Sequence, residues 1–400
     1  MGSSELTADV VVIGGGPSGL VAGLAFASAG FDVALIARTA PADNRTTALL
    51  ASSVAALDTL GAWAEAREHA APLVGLRIVD ATQRLWRAPE ALFDAHEIGL
   101  DAFAWNIENR RLIAALERRA EAMPNLHRLT DDAATVEPHD DSVIVRTASG
   151  QTVVAKLAVG ADGKNSLCRT AAGIEVQSRA YPQIALTYNV SHSRPHRDIS
   201  TEFHTEHGPF TTVPLPGNRS SIVCVVSEAD ADHLKSLSGD RLDRELERRS
   251  HSILGKINAD AGHGAFALAM ESARRFASDR IALVGEAAHR FAPIGAQGLN
   301  LGLRDAAALA EIAADYRDDP GQPHALERYD RERHADVMSR TIAVDLLNRS
   351  LLSDFLPIQG LRGIGLHLLN TVGPLRRAMM REGVMPRAAQ PRLMRGEALS

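Results

Sequence analysis

Residues 9–20 read Asp9-Val-Val-Val-Ile-Gly-Gly-Gly-Pro-Ser-Gly-Leu20, an apolar run that passes through a glycine turn into a helix. Gly14, Gly16 and Gly19 stand in the G-x-G-x-x-G pattern, after strand residues Val10 to Ile13 and before helix residues 17 to 29. The first glycine allows the tight turn, the second lets backbone approach a pyrophosphate, and the third lets helix and strand lie close. Phosphates would then sit at the positive end of the helix dipole, where first-turn N–H groups lack partners. A lone G-x-G-x-x-G matches many glycine-rich turns; the strand before it and the helix after it give this one its meaning. The chain opens by building a dinucleotide site.

Working outward, Phe31 to Ala37 reads as a second parallel strand and completes a βαβ start. The rule for such units wants an acid at its end to hold ribose hydroxyls, and Ala37-Arg38 stands there instead. Either another group binds the ribose, or Arg38 meets a phosphate, as in an NADP site. An apolar-periodic helix is expected from about Ala48 to Leu60, strand-like pieces between 73 and 105, and a helix from Asn109 to Met123. From about Tyr181 to Met270 alternating β-type runs dominate, with a charged helix near 241–250. Arg280-Ile-Ala-Leu-Val-Gly-Glu286 is again a buried parallel strand, and the chain is helical beyond it. Strands of nucleotide-domain type thus flank 181–270, so the first domain is read as discontinuous with a second inserted.

The chain has 400 residues, 45% hydrophobic and 23% charged, which suits a soluble globular enzyme of two domains or of one large domain with an insertion. Its net charge of −6 argues against nucleic acid as a partner, since that needs a clustered basic face. Cys168 and Cys224 have no CxxC or histidine neighbour, so no disulfide framework or metal site is expected, and a reducing cytoplasm is the simplest setting. Met1 to Ala8 is too short and polar for a signal peptide, and no run of 18 apolar residues would span a membrane.

A second constellation is Gly285-Glu-Ala-Ala-His-Arg-Phe-Ala-Pro-Ile-Gly-Ala-Gln-Gly-Leu-Asn-Leu-Gly-Leu-Arg-Asp305. It puts an acid at a strand end, then a Pro/Gly loop, then a long helix from near Gln297. Glu286 can accept hydrogen bonds from polyol hydroxyls. The 295–298 loop carries little bulk, so a flat ring could approach its backbone, and the helix start offers a positive end to a flavin that becomes anionic on reduction.

These residues resemble the class A flavin monooxygenases typified by para-hydroxybenzoate hydroxylase, and within them the ubiquinone-biosynthesis hydroxylases. Pro293 to Asp305 is close to that subfamily's signature, and Gly160-Ala-Asp-Gly-Lys-Asn-Ser-Leu-Cys-Arg169 resembles the family's Asp-Gly motif. With the N-terminal glycines, the resemblance spans roughly residues 8 to 350. It implies an α/β fold: a Rossmann-like FAD-binding domain with a parallel sheet (1–180 and 273–345), an inserted β-sheet substrate domain (181–272), and a helical C-terminal region (346–400). It also implies that Gly14, Gly16, Ser18 and Gly19 contact the FAD pyrophosphate, that Arg45 and Asn109 reach the cofactor, and that Asp162 lies near it by its backbone. Glu286 takes the usual Asp position, and Gly295, Gln297, Gly298, Leu299 and Asn300 line the isoalloxazine.

The implied activity is hydroxylation of a polyprenylated, lipophilic phenol: NAD(P)H reduces FAD, and O2 then forms a C4a-hydroperoxide that oxygenates the ring. A flavin-dependent isoprenoid reductase or epoxidase is the alternative, as is a non-catalytic scaffold of a quinone-synthesis complex. No catalytic base is demanded; His289 and Pro293 are the nearest candidates, and His289 reads first as a helix-start histidine satisfying local backbone. Alone, Arg45 reads as a solvated loop charge and Asp162-Gly163 as a plain turn. In the tail, Leu361, Ile364, Leu368, Val372, Leu375 and Met379 recur at helical steps among seven arginines, with Pro374 interrupting. That pattern fits a helix at an inner-membrane surface or quinone-biosynthesis complex, or one packed on its own domain or on a partner subunit in a homo-oligomer.

Overall fold

The computed structural model describes residues 5–39, 43–82, 87, 89–291, 296–352, 373–384 and 390–399, with backbone alone for 341–352. Its first sheet is built on parallel pairing of Glu5–Ile13 with both Thr152–Gly160 and Val33–Ile36. Leu126–Leu129 extends it on one side and Ile281–Leu283 on the other, both parallel. Val10, Val11 and Val12 are fully buried, as an unbroken apolar run in a sheet covered on both faces should be. The opening helix Pro17–Ser28 carries Pro at its start, where no intrahelical N–H is needed, and buries every residue from Gly19 to Ala27. An antiparallel pair, Ala133–Pro138 and Val143–Thr147, hangs from Thr152–Gly160.

The second sheet is wider than the 181–272 segment expected to supply it. Its longest strand, Val176–His192, already starts before the expected boundary at 181, and it pairs antiparallel with Arg219–Val226 and Gly264–Ala273. Gly75–Asp80 joins it from far upstream, parallel to Ile199–Thr205 over six positions, and brings Ala91–Asp94 as its own edge partner. The physical reason is edge satisfaction: Ile199–Thr205 would otherwise leave a row of N–H and C=O groups without partners. The first and second domains therefore share strands, and the boundary at 181 is not a clean cut.

A third, small sheet joins the two. Ala104–Glu108 pairs antiparallel with both Thr46–Leu50 and Ala70–Leu73. The helix expected from Ala48 thus begins at Ala51 and runs to Thr59, because Thr46 to Leu50 are taken up as strand. The expected helices near 109, 241 and 297 form as Asn109–Glu121, Asp240–Arg249 and Gln297–Asp315.

The described parts of the C-terminal region pack back on the chain, as one of the two readings of the tail has it. Helix Gly373–Val384 buries Met380 and Val384 with Ala91, Phe93, Ala95 and Phe103. Arg376 lies 4.5 Å over the Phe93 ring and 2.7 Å from Glu97. Residues 390–399 return to the first domain, with Leu393, Met394 and Leu399 in its core and the Arg392 N–H donating to Glu311 at 2.7 Å. Leu361, Ile364, Leu368 and Val372 lie outside the described residues. No helix among those described is long and apolar enough to cross a membrane.

Candidate functional site

The three glycines of the opening turn do different work. Gly14 has φ +123°, and a β-carbon there would lie 2.2 Å from the Ala161 carbonyl oxygen. One on Gly19 would lie 2.0 Å from the Gly14 carbonyl oxygen. Those two positions are closed by the protein's own backbone. A β-carbon on Gly16 would meet nothing within 4 Å, so this face of the turn is open. The helix behind it has no side-chain cap, which leaves its first N–H groups for a ligand.

Ser18 is drawn the other way. β-carbons on Gly285 and Gly302 would sit 2.8 and 2.5 Å from its hydroxyl, so the side chain is wedged between the Glu286 turn and the 297–315 helix. The resemblance places Ser18 at the FAD pyrophosphate; its side chain also packs closely between the two halves of the site. The two helix starts therefore belong to one rigid wall.

Arg45 lies within the electrostatic reach of Glu286. Arg45 grips Asp43 with three side-chain hydrogen bonds, at 2.9, 3.1 and 2.8 Å, and lies 5.4 Å over the Phe266 ring. Its guanidinium is held above its ordinary pKa, chiefly by Asp43, with the exposed Glu286 carboxylate adding to the field. Asn109 donates to Asp43 at 2.9 Å and accepts from Thr47 at 2.7 Å, so it reaches the cradle through Asp43. Burial pushes Asp43 up, but Arg45 and Asn109 outweigh it and hold the carboxyl below its ordinary pKa.

At the other helix start, Ala296 takes a left-handed conformation, with φ 53°. Gly298 is exposed, and a β-carbon on it, as on Gly16, would meet nothing within 4 Å. Leu299 packs against the main core, and Gln297 lies 3.5 Å from Arg340. Asn300 is buried and fully engaged: it accepts from Leu50 N–H at 2.9 Å and donates to Ala48 and Ala296 carbonyls at 2.8 and 2.6 Å. It braces the helix start rather than offering a polar atom to a ring. Pro293 and Gly295 lie outside the described residues.

Asp162 caps the short helix Leu167–Ala171 by accepting from Cys168 N–H at 3.1 Å. Its second oxygen is buried without a hydrogen-bond partner, and its backbone N would lie 3.0 Å from a Gly14 β-carbon. Arg38 is largely exposed and only 3.8 Å from Asp132, at the end of Val33–Ile36. Cys168 and Cys224 are free and buried, and burial raises both thiols, so neither is poised as a nucleophile.

One constellation had no counterpart in the sequence reading. The Asp305 carboxylate, fully buried, accepts from Gly285 N–H at 3.0 Å, faces His289 at 2.7 Å and accepts from Arg333 at 2.8 Å. Burial pushes Asp305 up, yet His289 and Arg333 hold it below its ordinary pKa. Arg333 also reaches Asp336, which takes Arg304 and Arg340 as well. His289 is thus committed to the Glu286 turn and is not presented to the open cradle.

The residues fit a flavin dinucleotide. Two glycines leave open space at two helix starts, an acid and an arginine lie within electrostatic reach of each other, and an orphaned buried acceptor sits beside the first turn. Comparison with known proteins agrees. Residues 7–342 match the family described as FAD binding domain. Ubiquinone hydroxylase UbiL of Rhodospirillum rubrum is 34% identical over all of this chain and 95% of its own. The 3-demethoxyubiquinol 3-hydroxylase of Escherichia coli is 31% identical, over 93% of this chain and 97% of that one. In fold, p-nitrophenol 4-monooxygenase PnpA from Pseudomonas putida superposes with a TM-score of 0.79 at 19% identity, covering 96% of this chain and 100% of that one. The chain belongs to the FAD-binding family, among the ubiquinone hydroxylases.

Proposed function

We propose that this chain is an FAD-dependent monooxygenase that hydroxylates the aromatic ring of a polyprenylated phenol in ubiquinone biosynthesis. The observation that carries the reading is the single wall formed by two open helix starts, locked by Ser18 between Gly285 and Gly302. A dinucleotide turn alone would suit many enzymes. A second positive helix end on the same wall suits a ring that gains negative charge in turnover.

FAD supplies the redox chemistry, taking electrons from NAD(P)H and spending them with O2 so that one oxygen atom enters the ring and the other leaves as water. The chain's own groups bind and orient. The Gly14–Gly19 turn and its helix hold the diphosphate. Glu286 accepts from the polyol hydroxyls, and Arg45, fixed by Asp43, neutralises the cradle between them. The start of the 297–315 helix stabilises charge on the ring system, and the second sheet, joined to the first domain through Thr46, whose hydroxyl lies 2.8 Å from that of Ser221, excludes water from the substrate side.

The tail supports a peripheral membrane role for the same enzyme. With Met380 and Val384 turned inward, helix 373–384 leaves Leu375, Met379, Arg377 and Arg381 on its outer face. An apolar ridge flanked by arginines is the pattern that lies on anionic lipid and would bring a lipid substrate within reach. The test of the main reading is direct: the purified protein is yellow, its NAD(P)H oxidation rises with a suitable phenol, and cells lacking it accumulate an under-hydroxylated quinone precursor. A protein that binds no FAD, or cells with unchanged quinones, would sink it.

A further inference from the structure

Among the described side chains, the buried ionic cluster under the site is not charge-balanced. Two carboxylates, Asp305 and Asp336, face three guanidiniums, Arg304, Arg333 and Arg340, all joined by contacts of 2.6 to 3.2 Å. His289 sits on the Asp305 carboxylate and adds no negative charge in either protonation state. The side chains of Arg304 and Arg333 are each 4% exposed, so water screens this imbalance little. The cluster also has a direction. At one end Asp305 holds the Gly285 N–H, next to Glu286; at the other Arg340 lies against Gln297, the first residue of the helix start.

Simple bracing would need no excess charge. Equal numbers would hold the same three segments, and a buried unbalanced guanidinium carries a desolvation penalty. We infer that the Asp305–Arg333–Asp336–Arg304–Arg340 cluster is an electrostatic device: its surplus positive charge adds to the dipole of the 297–315 helix and favours the reduced, negatively charged state of the cofactor. These are positioning residues, acting through the helix start and the Glu286 turn. The inference rests on the flavin reading above.

The test is the midpoint potential of the FAD-bound full-length chain, measured by spectroelectrochemical titration, with thermal unfolding of the apoprotein alongside. R340Q removes one positive charge at the Gln297 end, and D336N removes one negative charge from the hub. The account expects shifts of opposite sign. R340Q lowers the potential, so that reduced FAD binds about threefold or more weakly relative to oxidised, the scale of one partly screened charge. D336N raises it, and R340K stays near wild type. Bracing alone predicts lower melting temperatures with shifts of one sign or none, and that result overturns the inference. If D336N does not fold, R340Q against R340K decides: equal potentials in those two overturn it, a lowered potential in R340Q alone supports it. A wild-type chain that takes up no FAD would instead defeat the flavin reading itself.

Discussion

The opening turn and the Gly285–Asp305 stretch build the same kind of surface by different means. The first is held by backbone against backbone: Gly14 and Gly19 are glycines because carbonyl oxygens occupy the space of their side chains. The second is held by charge, with one buried aspartate collecting a backbone N–H, a histidine and an arginine from a helix 28 residues further on. Ser18 locks the two together. A glycine turn can be read from spacing because its geometry is local. A buried ion cluster cannot, because its partners are assembled by the fold.

That contrast can be broken by substitution. Asp305→Ala should cost the most, about 3–5 kcal/mol, because it strands a buried arginine and frees the Glu286 turn. Urea unfolding of the apoprotein measures it, and a loss below about 1 kcal/mol would mean the cluster is not a brace. Gly14→Ala should cost about 2–4 kcal/mol, from a left-handed φ and a clash that backbone cannot relieve. It should cut soluble yield and melting temperature with or without FAD.

Acid sharpens the comparison further. Asp305 and Asp336 are both held below their ordinary pKa, so their contribution is full above the unfolded value of about 4 and is lost as pH falls through the folded one. Between neutral pH and about pH 3, wild type should lose more stability than Asp336→Asn, while Gly14→Ala should run parallel to wild type. Parallel curves for all three would remove the ionic half of the comparison. The smallest effect belongs to the tail: Arg376→Ala loses a cation–π contact and an ion pair to Glu97, about 1 kcal/mol. It should show as faster protease cleavage near residue 373 with the main unfolding transition unmoved.

Much of the architecture was legible in the sequence. The βαβ opening, the buried strand before Glu286 and the helix from Gln297 declare themselves by apolar runs, glycines and a positive helix start. The second sheet was legible only in part, since nothing in Gly75–Asp80 says that it will pair parallel with a strand 124 residues later. Ala48–Leu50 reads as the beginning of a helix because Leu50, Val54 and Leu57 recur at helical steps, and only the neighbouring Ala104–Glu108 makes Thr46–Leu50 a strand. In the site, Gly14, Gly16 and Gly19 were placed by spacing. Ser18 and Asn300 were read as ligand contacts; the Asn300 side chain makes three hydrogen bonds within the protein, and Ser18 packs closely against Gly285 and Gly302. Arg304 and Asp305 stood in the quoted motif without a role, because Arg333 and Asp336, which give them one, follow no spacing rule.

The central claim is that the open face of Gly16 is reserved for a cofactor, while its neighbours serve the fold. Equilibrium titration of apoprotein with FAD, read by quenching of flavin fluorescence, tests it on Gly16→Val beside wild type. The account predicts saturable binding of one FAD per wild-type chain, and loss of that binding in Gly16→Val with the apoprotein melting temperature unchanged. Equal FAD affinity in the two proteins would contradict it.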